Sequence, residues 1–402
     1  MWKKAIDITD VREIRTRVTI YFGVGAIKEI DRILKKLKSQ NIDNLLVVTG
    51  ANSYKVSGAW DFVDKALKDN DIKYVLSSNI EPNPTTTQVN AARNLGVKHG
   101  VKAVLAIGGG SVIDATKSIA ILLKYPDKTG RELFEKTFVP EKAVPVIAVN
   151  LTHGTGTETD RFAVVTIPET QNKAAIGYDF IYPMYSIDDP ALMTKLSAEQ
   201  TLYVTIDALN HVIESATTNN TNIFSLTLCK ETVRLIKQYL PDVLANPEDL
   251  TARYYLTSAA MIAGIAFDST GLHITHALAK FINTLKPDFP HGLSLAMLLP
   301  AVLRQIYPQK AEIIADLLSP IIPNLTGNPD EAEEVALKTE KWLFDLGLNK
   351  KLSDEGITEE DADKLTEICM NFPALKDLQV VTPMEITRES VLRIYKESLK
   401  AL

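Results

Sequence analysis

Six histidines occur in 402 residues: His99, His153, His211, His273, His276 and His291, four of them between positions 211 and 291. Any imidazole chemistry must come from that short set. Asp207-Ala208-Leu209-Asn210-His211 sets a carboxylate and an imidazole at i and i+4, on one face of a helix. Glu214 follows one turn later, where it could orient a ligand from behind. An Asp and a His at this spacing also describe an ordinary surface pair. His276 and His291 add two imidazoles, one opening the helix-like stretch Ala277–Asn283, the other in Phe289-Pro290-His291-Gly292 before the next helix. One carboxylate (Asp207) and three imidazoles (His211, His276, His291) form a reasonable set for Fe²⁺, Zn²⁺ or another divalent transition ion. The two cysteines, Cys229 and Cys369, exclude a disulfide scaffold or a cysteine-rich zinc module.

A second chemistry is written in glycine. The strand-like run Ala103–Ile107 leads into Gly108-Gly109-Gly110-Ser111 and then the helical pattern Val112–Leu123. Glycines let backbone N–H groups approach a pyrophosphate, and a helix N-terminus adds unpaired donors and a positive dipole end. Ser111 is expected to cap that helix and touch phosphate. A plain turn competes with this account, since the GxGxxG fingerprint is not what stands here. Asn150–Glu158, reading NLTHGTGTE after the run Val144–Val149, is a second polar loop suited to phosphate or ribose. Glu81-Pro82-Asn83-Pro84-Thr85 is a rigid turn with Thr85 placed to cap a helix. Gly50 ends the run Leu45–Thr49, where dinucleotide folds often carry an acid that holds the ribose 2′-OH. Glycine leaves room for a 2′-phosphate, with Asn52, Ser53 or Lys55 to bind it, which favours NADP over NAD.

The elements that must position these residues change along the chain. Short β-branched runs at Val18–Phe22, Leu45–Thr49, Lys73–Leu76, Ala103–Ile107 and Val144–Val149 alternate with helical periodicity at Ala26–Leu37, Ala59–Lys68, Thr87–Lys98 and Val112–Leu123. Such alternation reads as βαβ units on a mostly parallel sheet. The nearly all-apolar runs suit strands buried on both faces. Phe162–Ile167 and Lys173–Gly177 read as a hairpin outside that core. Beyond Pro190 helices take over: Ser197–Thr218, Leu226–Leu240, Arg253–Phe267, Gly292–Ile306, Glu331–Leu346, Glu359–Asn371 and Arg388–Leu399. Boundaries are signalled at Asp354–Thr358 and Pro383. The expected organisation is an α/β dinucleotide-binding domain over 1–190 and an all-α metal-binding domain over 191–402.

Composition sets outer bounds. With 46% hydrophobic and 23% charged residues the chain is an ordinary globular one. A net charge of −6 weighs against nucleic-acid and anionic-membrane partners. The start, Met1–Asp7, has no apolar core of a signal peptide, and no apolar run is long enough to span a bilayer. A cytoplasmic location is expected.

Taken in order, GGGSVIDATK from Gly108, THGTGTETDRFAV from Thr152, DPAL from Asp189, DALNHVIES from Asp207, AGIAF from Ala263 and PHGLSLAMLLP from Pro290 are similar to motifs of one family. The chain resembles the iron-containing, or group III, alcohol dehydrogenases over essentially its whole length. The resemblance implies the fold these enzymes share with dehydroquinate synthase, with a parallel-sheet dinucleotide domain, a helical metal domain and a catalytic cleft between them. It carries the metal ligands onto Asp207, His211, His276 and His291. It carries dinucleotide contacts onto Gly109, Gly110, Ser111, Thr152, Thr155 and Lys173, and Asn83 matches the family's PNP turn. Gly50 stands where NAD-preferring members tend to carry Asp. Two departures matter. Many members have a further histidine four residues after the third ligand, to position substrate or relay a proton; here Lys280 stands there, with His273 as the alternative. A lysine in that role needs its pKa lowered by burial or the metal. His153 replaces a small residue, and either contacts cofactor or packs.

The expected reaction is reversible hydride transfer between a primary alcohol and NADP (or NAD), with Fe²⁺ (or Zn²⁺) polarising the oxygen. The rivals are a glycerol-dehydrogenase-like polyol oxidoreductase, a dehydroquinate-synthase-like metal/NAD lyase, whose ligand set has Glu where Asp207 stands, and a non-catalytic nucleotide binder. The expected partners are a small alcohol or aldehyde and further copies of the chain, as a homodimer or larger assembly.

Overall fold

The computed structural model describes residues 16–402, and the opening Met1–Asp7, whose sequence argues against a signal peptide, lies outside them. Among the described residues there are eight strands: β1 (Thr19–Phe22), β2 (Asn44–Thr49), β3 (Lys73–Ser77), β4 (Ala103–Gly108), β5 (Val146–Asn150), β6 (Phe162–Ile167), β7 (Asn172–Gly177) and β8 (Tyr185–Asp188). Six of them form one wholly parallel sheet in the order β1-β8-β5-β4-β2-β3. β6 and β7 pair antiparallel as a separate hairpin. Helices α1 (Glu29–Ser39), α2 (Ser53–Val56), α3 (Ala59–Asp69), α4 (Thr86–His99), α5 (Gly110–Leu122) and α6 (Gly130–Phe134) fill the connections.

Alternate residues of the central strands serve two cores. Leu46, Val48, Val104, Ala106, Val146 and Ala148 join α4 and α5 on one face. Leu45, Val47, Leu105, Ile107, Ile147 and Val149 join α1 and α3 on the other. Each buried aliphatic side chain stabilises by about 1.5–3 kcal/mol, which is why these strands read as unbroken apolar runs rather than alternating ones. β3 and β4 flank β2, so the direction of progress across the sheet reverses there. Open α/β sheets bind ligands at the carboxyl ends of strands beside such a reversal. Gly50 follows β2, and Gly109 follows β4.

β8 was not foreseen in the sequence, although it lies between β1 and β5. It has four residues, and two of them, Ser186 and Asp188, are polar yet buried. Their side chains are hydrogen-bonded, Ser186 Oγ donating to Glu158 O at 2.6 Å and Asp188 Oδ1 accepting from Asn150 Nδ2 at 2.9 Å. Paired polar groups in a strand hide it from an apolar pattern.

The chain divides into two compact units, one of Thr16–Ser197 with Asn246–Thr257, the other of Ala198–Ala245 with Ser258–Leu402. Asn246–Thr257 counts with the sheet. There Tyr254 packs on Phe22 with ring centroids 4.6 Å apart, and Thr257 Oγ1 meets the Met193 sulfur at 3.3 Å. The helical part of the chain contains α7 (Ala198–Thr217), α8 (Ile223–Ala245), α9 (Leu250–Thr270), α10 (Ile274–Leu285), α11 (His291–Leu318), α12 (Ala332–Asp345), α13 (Glu359–Met370), α14 (Leu375–Val381) and α15 (Arg388–Glu397). α11 continues past the expected end at Ile306, with non-helical Lys310 (φ −133°) marking a kink just after Pro308. α14 was not expected, and it buries no residue fully. Thr358 starts α13 with a capping box to Asp361, as its sequence suggested. Among the described residues no helix is long and apolar enough to cross a membrane.

Candidate metal centre and dinucleotide loops

Three helices bring the candidate ligands together. On α7 the spacing of Tyr203, Asp207, His211 and Glu214 sets them along one face. His276 lies in the first turn of α10, and His291 is the first residue of α11. Gly292 explains how α11 starts so close to α7, because a Cβ there would stand 2.1 Å from the Tyr203 carbonyl oxygen. Three imidazole nitrogens converge on Asp207 Oδ1: His276 Nε2 at 3.3 Å, His211 Nε2 at 3.5 Å and His291 Nε2 at 3.8 Å. Asp207, His276 and His291 offer ligand atoms all within 4.8 Å of one another. His211 stands at the edge of that group, its ring stacked on His276 with centroids 4.7 Å apart and planes 10° apart. Asp207, His211 and His276 are buried, whereas the His291 side chain is 25% exposed and forms the open side.

Glu214 does what its spacing suggested. From α7 its carboxylate accepts the backbone N–H groups of His273 (2.9 Å) and His276 (3.0 Å), so it caps α10 from a neighbouring helix. It also meets His276 Nδ1 at 2.9 Å. An ionised carboxylate only accepts, so Nδ1 carries a proton and Nε2 is the nitrogen that faces Asp207. The space between Nε2 and that carboxylate calls for a positive charge, either a proton or a metal ion. The electrostatics agree. Burial disfavours the charged form of His276, but Glu214 and Asp207 outweigh it and raise the imidazole to about 9. Burial alone would raise Asp207 and Glu214, yet the surrounding imidazoles hold both carboxyls well below the usual range. The donor set therefore fits a divalent transition ion, with a carboxylate behind one imidazole as metal sites commonly have.

Of the two residues considered for proton transfer, His273 is sealed in. Its Nε2 lies 2.8 Å from Thr217 Oγ1, whose own proton goes to Ile213 O, and burial lowers its pKa. It serves the start of α10. Lys280 is half-buried, one turn beyond His276 on the same helix face. Phe267 lies against His211 with ring centroids 4.6 Å apart. His99 is exposed in the last turn of α4, a favourable place for a basic side chain. Both cysteines are buried, and burial raises each thiol to about 12, so neither is reactive.

The dinucleotide candidates gather in the sheet-containing unit. The cap of α5 is Gly109, without a side-chain bond, and Ser111 already lies inside the helix. The expectation that Ser111 caps the helix is thereby corrected: the chain turns helical at Gly110, one residue earlier. The second loop fits tightly onto this turn. A Cβ on Gly109 would lie 2.7 Å from Thr152 Cγ2, and one on Gly110 would lie 2.5 Å from Thr155 Cγ2. These glycines make room for two threonines as well as for a ligand. Lys173 Nζ donates to Asn83 Oδ1 at 2.9 Å, and Thr85 caps α4 in a capping box with Gln88. At the end of β2, Gly50 is buried while Asn52, Ser53 and Lys55 are exposed. A Cβ on Gly50 would stand 3.3 Å from Ile80 O.

Sequence reasoning missed the polar network beneath the second loop. Lys117 Nζ, wholly buried, donates to Thr157 Oγ1 (2.8 Å), Asp160 Oδ1 (2.8 Å) and the carbonyl oxygens of Asp160 (2.9 Å) and Phe162 (2.8 Å). Thr157 Oγ1 in turn donates to Asp114 Oδ1 at 2.6 Å. Asp114 and Lys117, three apart on α5, tie this loop to the helix that begins at the first one. Two charges on an otherwise apolar helix were the available signal. Burial raises the carboxyls of Glu158 and Asp188 nearby; the Asp188 charge adds to the pressure on Glu158, whereas the hydrogen bond from Asn150 works against the rise at Asp188.

This arrangement is matched along nearly the whole chain. Residues 18–190 match the model of the iron-containing alcohol dehydrogenases, and residues 201–399 match that of the C-terminal part of the Fe-containing alcohol dehydrogenase family. The chain belongs to the iron-containing alcohol dehydrogenase family. This dehydrogenase is 52% identical over 398 residues to the long-chain primary alcohol dehydrogenase of Thermoanaerobacter ethanolicus, covering 99% of this chain and 100% of that one. It is 29% identical over 383 residues to the 1,3-propanediol dehydrogenase of Klebsiella pneumoniae, covering 94% and 96%. Among solved structures it is similar to NADH-dependent butanol dehydrogenase A of Thermotoga maritima, with a TM-score of 0.89, 28% identity and coverage of 97% and 99%. The enzyme is thus an oxidoreductase of the alcohol dehydrogenase type rather than a lyase or an inert nucleotide binder.

Proposed function

We propose that this dehydrogenase transfers hydride reversibly between a primary alcohol and NADP, at a divalent ion held by Asp207, His211, His276 and His291. The convergence of three imidazole nitrogens on one Asp207 oxygen carries this reading. When bound, ferrous iron (or zinc) supplies Lewis acidity toward the alcohol oxygen, so that the alkoxide is accessible near neutral pH. The chain supplies the rest. Glu214 fixes the His276 tautomer, and the partly exposed His291 leaves the cluster open on one side. Lys280 gives a proton to the product oxygen in aldehyde reduction and takes one in alcohol oxidation.

For the cofactor, the first amides of α5 at Gly110 and Ser111 lack intrahelical acceptors and suit a pyrophosphate. Thr152 and Thr155 wall the same turn, and Asn83 holds Lys173 for a contact beside it. Gly50, with exposed Asn52 and Ser53, supports NADP over NAD, since no carboxylate stands there to repel a 2′-phosphate. Primary alcohols are favoured because the 52% identical relative is a long-chain primary alcohol dehydrogenase.

The test is NADPH and NADH oxidation with a series of straight-chain aldehydes, using protein loaded with iron or with zinc. NADPH-linked turnover that rises with chain length is the expected result, and iron is expected to support it best. Gly50→Asp should move the preference toward NADH by about tenfold or more. Equal use of both cofactors by the wild type, unchanged in this variant, would remove the NADP reading.

A further inference from the structure

His153 sits in the second loop between the two threonines that press on Gly109 and Gly110, but its ring leaves that surface. Thr152 and Thr155 are half-buried, whereas His153 is 1% exposed, with Nε2 2.8 Å from Arg253 Nη1. A guanidinium offers only donors, so the imidazole accepts at Nε2 and is uncharged. Burial and the neighbouring Arg253 charge push the imidazole down to about 3, so it stays an acceptor at any working pH. Arg253 is itself a fixed post. Its side chain is wholly buried, its Nε donates to Pro247 O at 3.0 Å, and its backbone N–H donates to Asp249 O at 2.9 Å in the first turn of α9. The bond joins segments 100 residues apart in sequence, within one compact unit.

The loop is therefore held from two sides. From below, Lys117 and Asp114 grip its far half at Thr157 and Asp160. His153 is the corresponding grip on the near half. Residues 152–155 form a short glycine-containing stretch tied at its start by the Thr152 N–H to Asn150 Oδ1 (3.1 Å), and ordering the rest of such a stretch at the moment of binding weakens affinity. We infer that Arg253 and His153 are positioning residues for the dinucleotide: their hydrogen bond sets the height of the loop so that Thr152 and Thr155 seat against Gly109 and Gly110 before the ligand arrives. This rests on the assignment of that loop to the cofactor. The pair touches the loop and not the ligand.

The test compares the holoenzyme with His153→Leu, His153→Gln and Arg253→Met, reading the NADPH Kd by fluorescence, the metal content, and KM against kcat. Gln places an uncharged oxygen acceptor near the Nε2 position; Leu has none. His153→Leu and Arg253→Met are expected to weaken NADPH binding about tenfold, with metal content retained and the loss in the KM for NADPH rather than in kcat. His153→Gln is expected to bind within about threefold of the wild type. A His153→Leu or Arg253→Met enzyme that binds NADPH as the wild type does overturns the inference. So does a His153→Gln enzyme that binds tenfold more weakly, which decides the matter even if the other variants fail to fold. A wild-type enzyme that binds neither NADPH nor NADH would instead overturn the cofactor assignment on which the inference stands.

Discussion

In the helical unit, the groups that could bind a ligand are side chains on three long helices; in the sheet-containing unit, they are backbone amides and short hydroxyls on loops. The first cluster is held by charge. Asp207 gathers three imidazoles and Glu214 fixes one of them from behind. The second is held by fit. Gly109 and Gly110 accept Thr152 and Thr155 where their own Cβ atoms would stand, and Lys117 ties the loop down from the core. Removing a charge should therefore empty the first site outright. Filling a gap should loosen the second by degrees.

Asp207→Ala tests the first half of that contrast. It removes the one anion common to three imidazoles, and turnover is expected to fall by about 10³-fold or more with metal retention lost. Steady-state assays paired with elemental analysis measure both, and substantial activity at normal metal content would break the comparison. Gly292→Ala probes how the helices carry the cluster. The added Cβ meets the Tyr203 backbone, which cannot swing aside as a side chain could, so α11 must shift and take His291 with it. Overpacking of this kind costs about 1–3 kcal/mol, so metal affinity should drop roughly 10–100-fold while NADPH binding stays normal. Gly109→Ala is the mirror experiment. Its Cβ meets a threonine side chain that can partly give way, so the NADPH Kd should rise only about tenfold and metal content should not change. Should Gly109→Ala lose metal, or Gly292→Ala lose NADPH first, the two sites do not fail independently.

Much of this was legible in the residues, unevenly. With six histidines in the chain, the Asp207–His211 spacing and the pair His276 and His291 were enough to suggest a cluster, and Glu214 fell one turn further on the same face. Side chains at helical spacing announce themselves because the helix period is fixed. The glycine turn was visible as composition, but its cap was misplaced, because whether the chain becomes helical at Gly110 or later depends on backbone angles that glycine leaves open. β8 escaped notice since its buried polar residues are paired only in three dimensions. His153 left two possibilities open, and the bond it makes to Arg253, 100 residues away, is not visible in the local sequence. Lys117 and Asp114 lie in GGGSVIDATK as two charges on an otherwise apolar helix, a pattern that does not show the lysine buried among carbonyl oxygens.

The claim at the centre is that the imidazole cluster holds the enzyme's metal independently of the cofactor loops. Elemental analysis of the wild type and His276→Ala, both purified without added metal and both titrated with NADPH, addresses it most directly. The expected result is about one divalent ion per chain in the wild type, little or none in the variant, and the same NADPH affinity in both. A His276→Ala protein that keeps its full complement of metal would contradict the account.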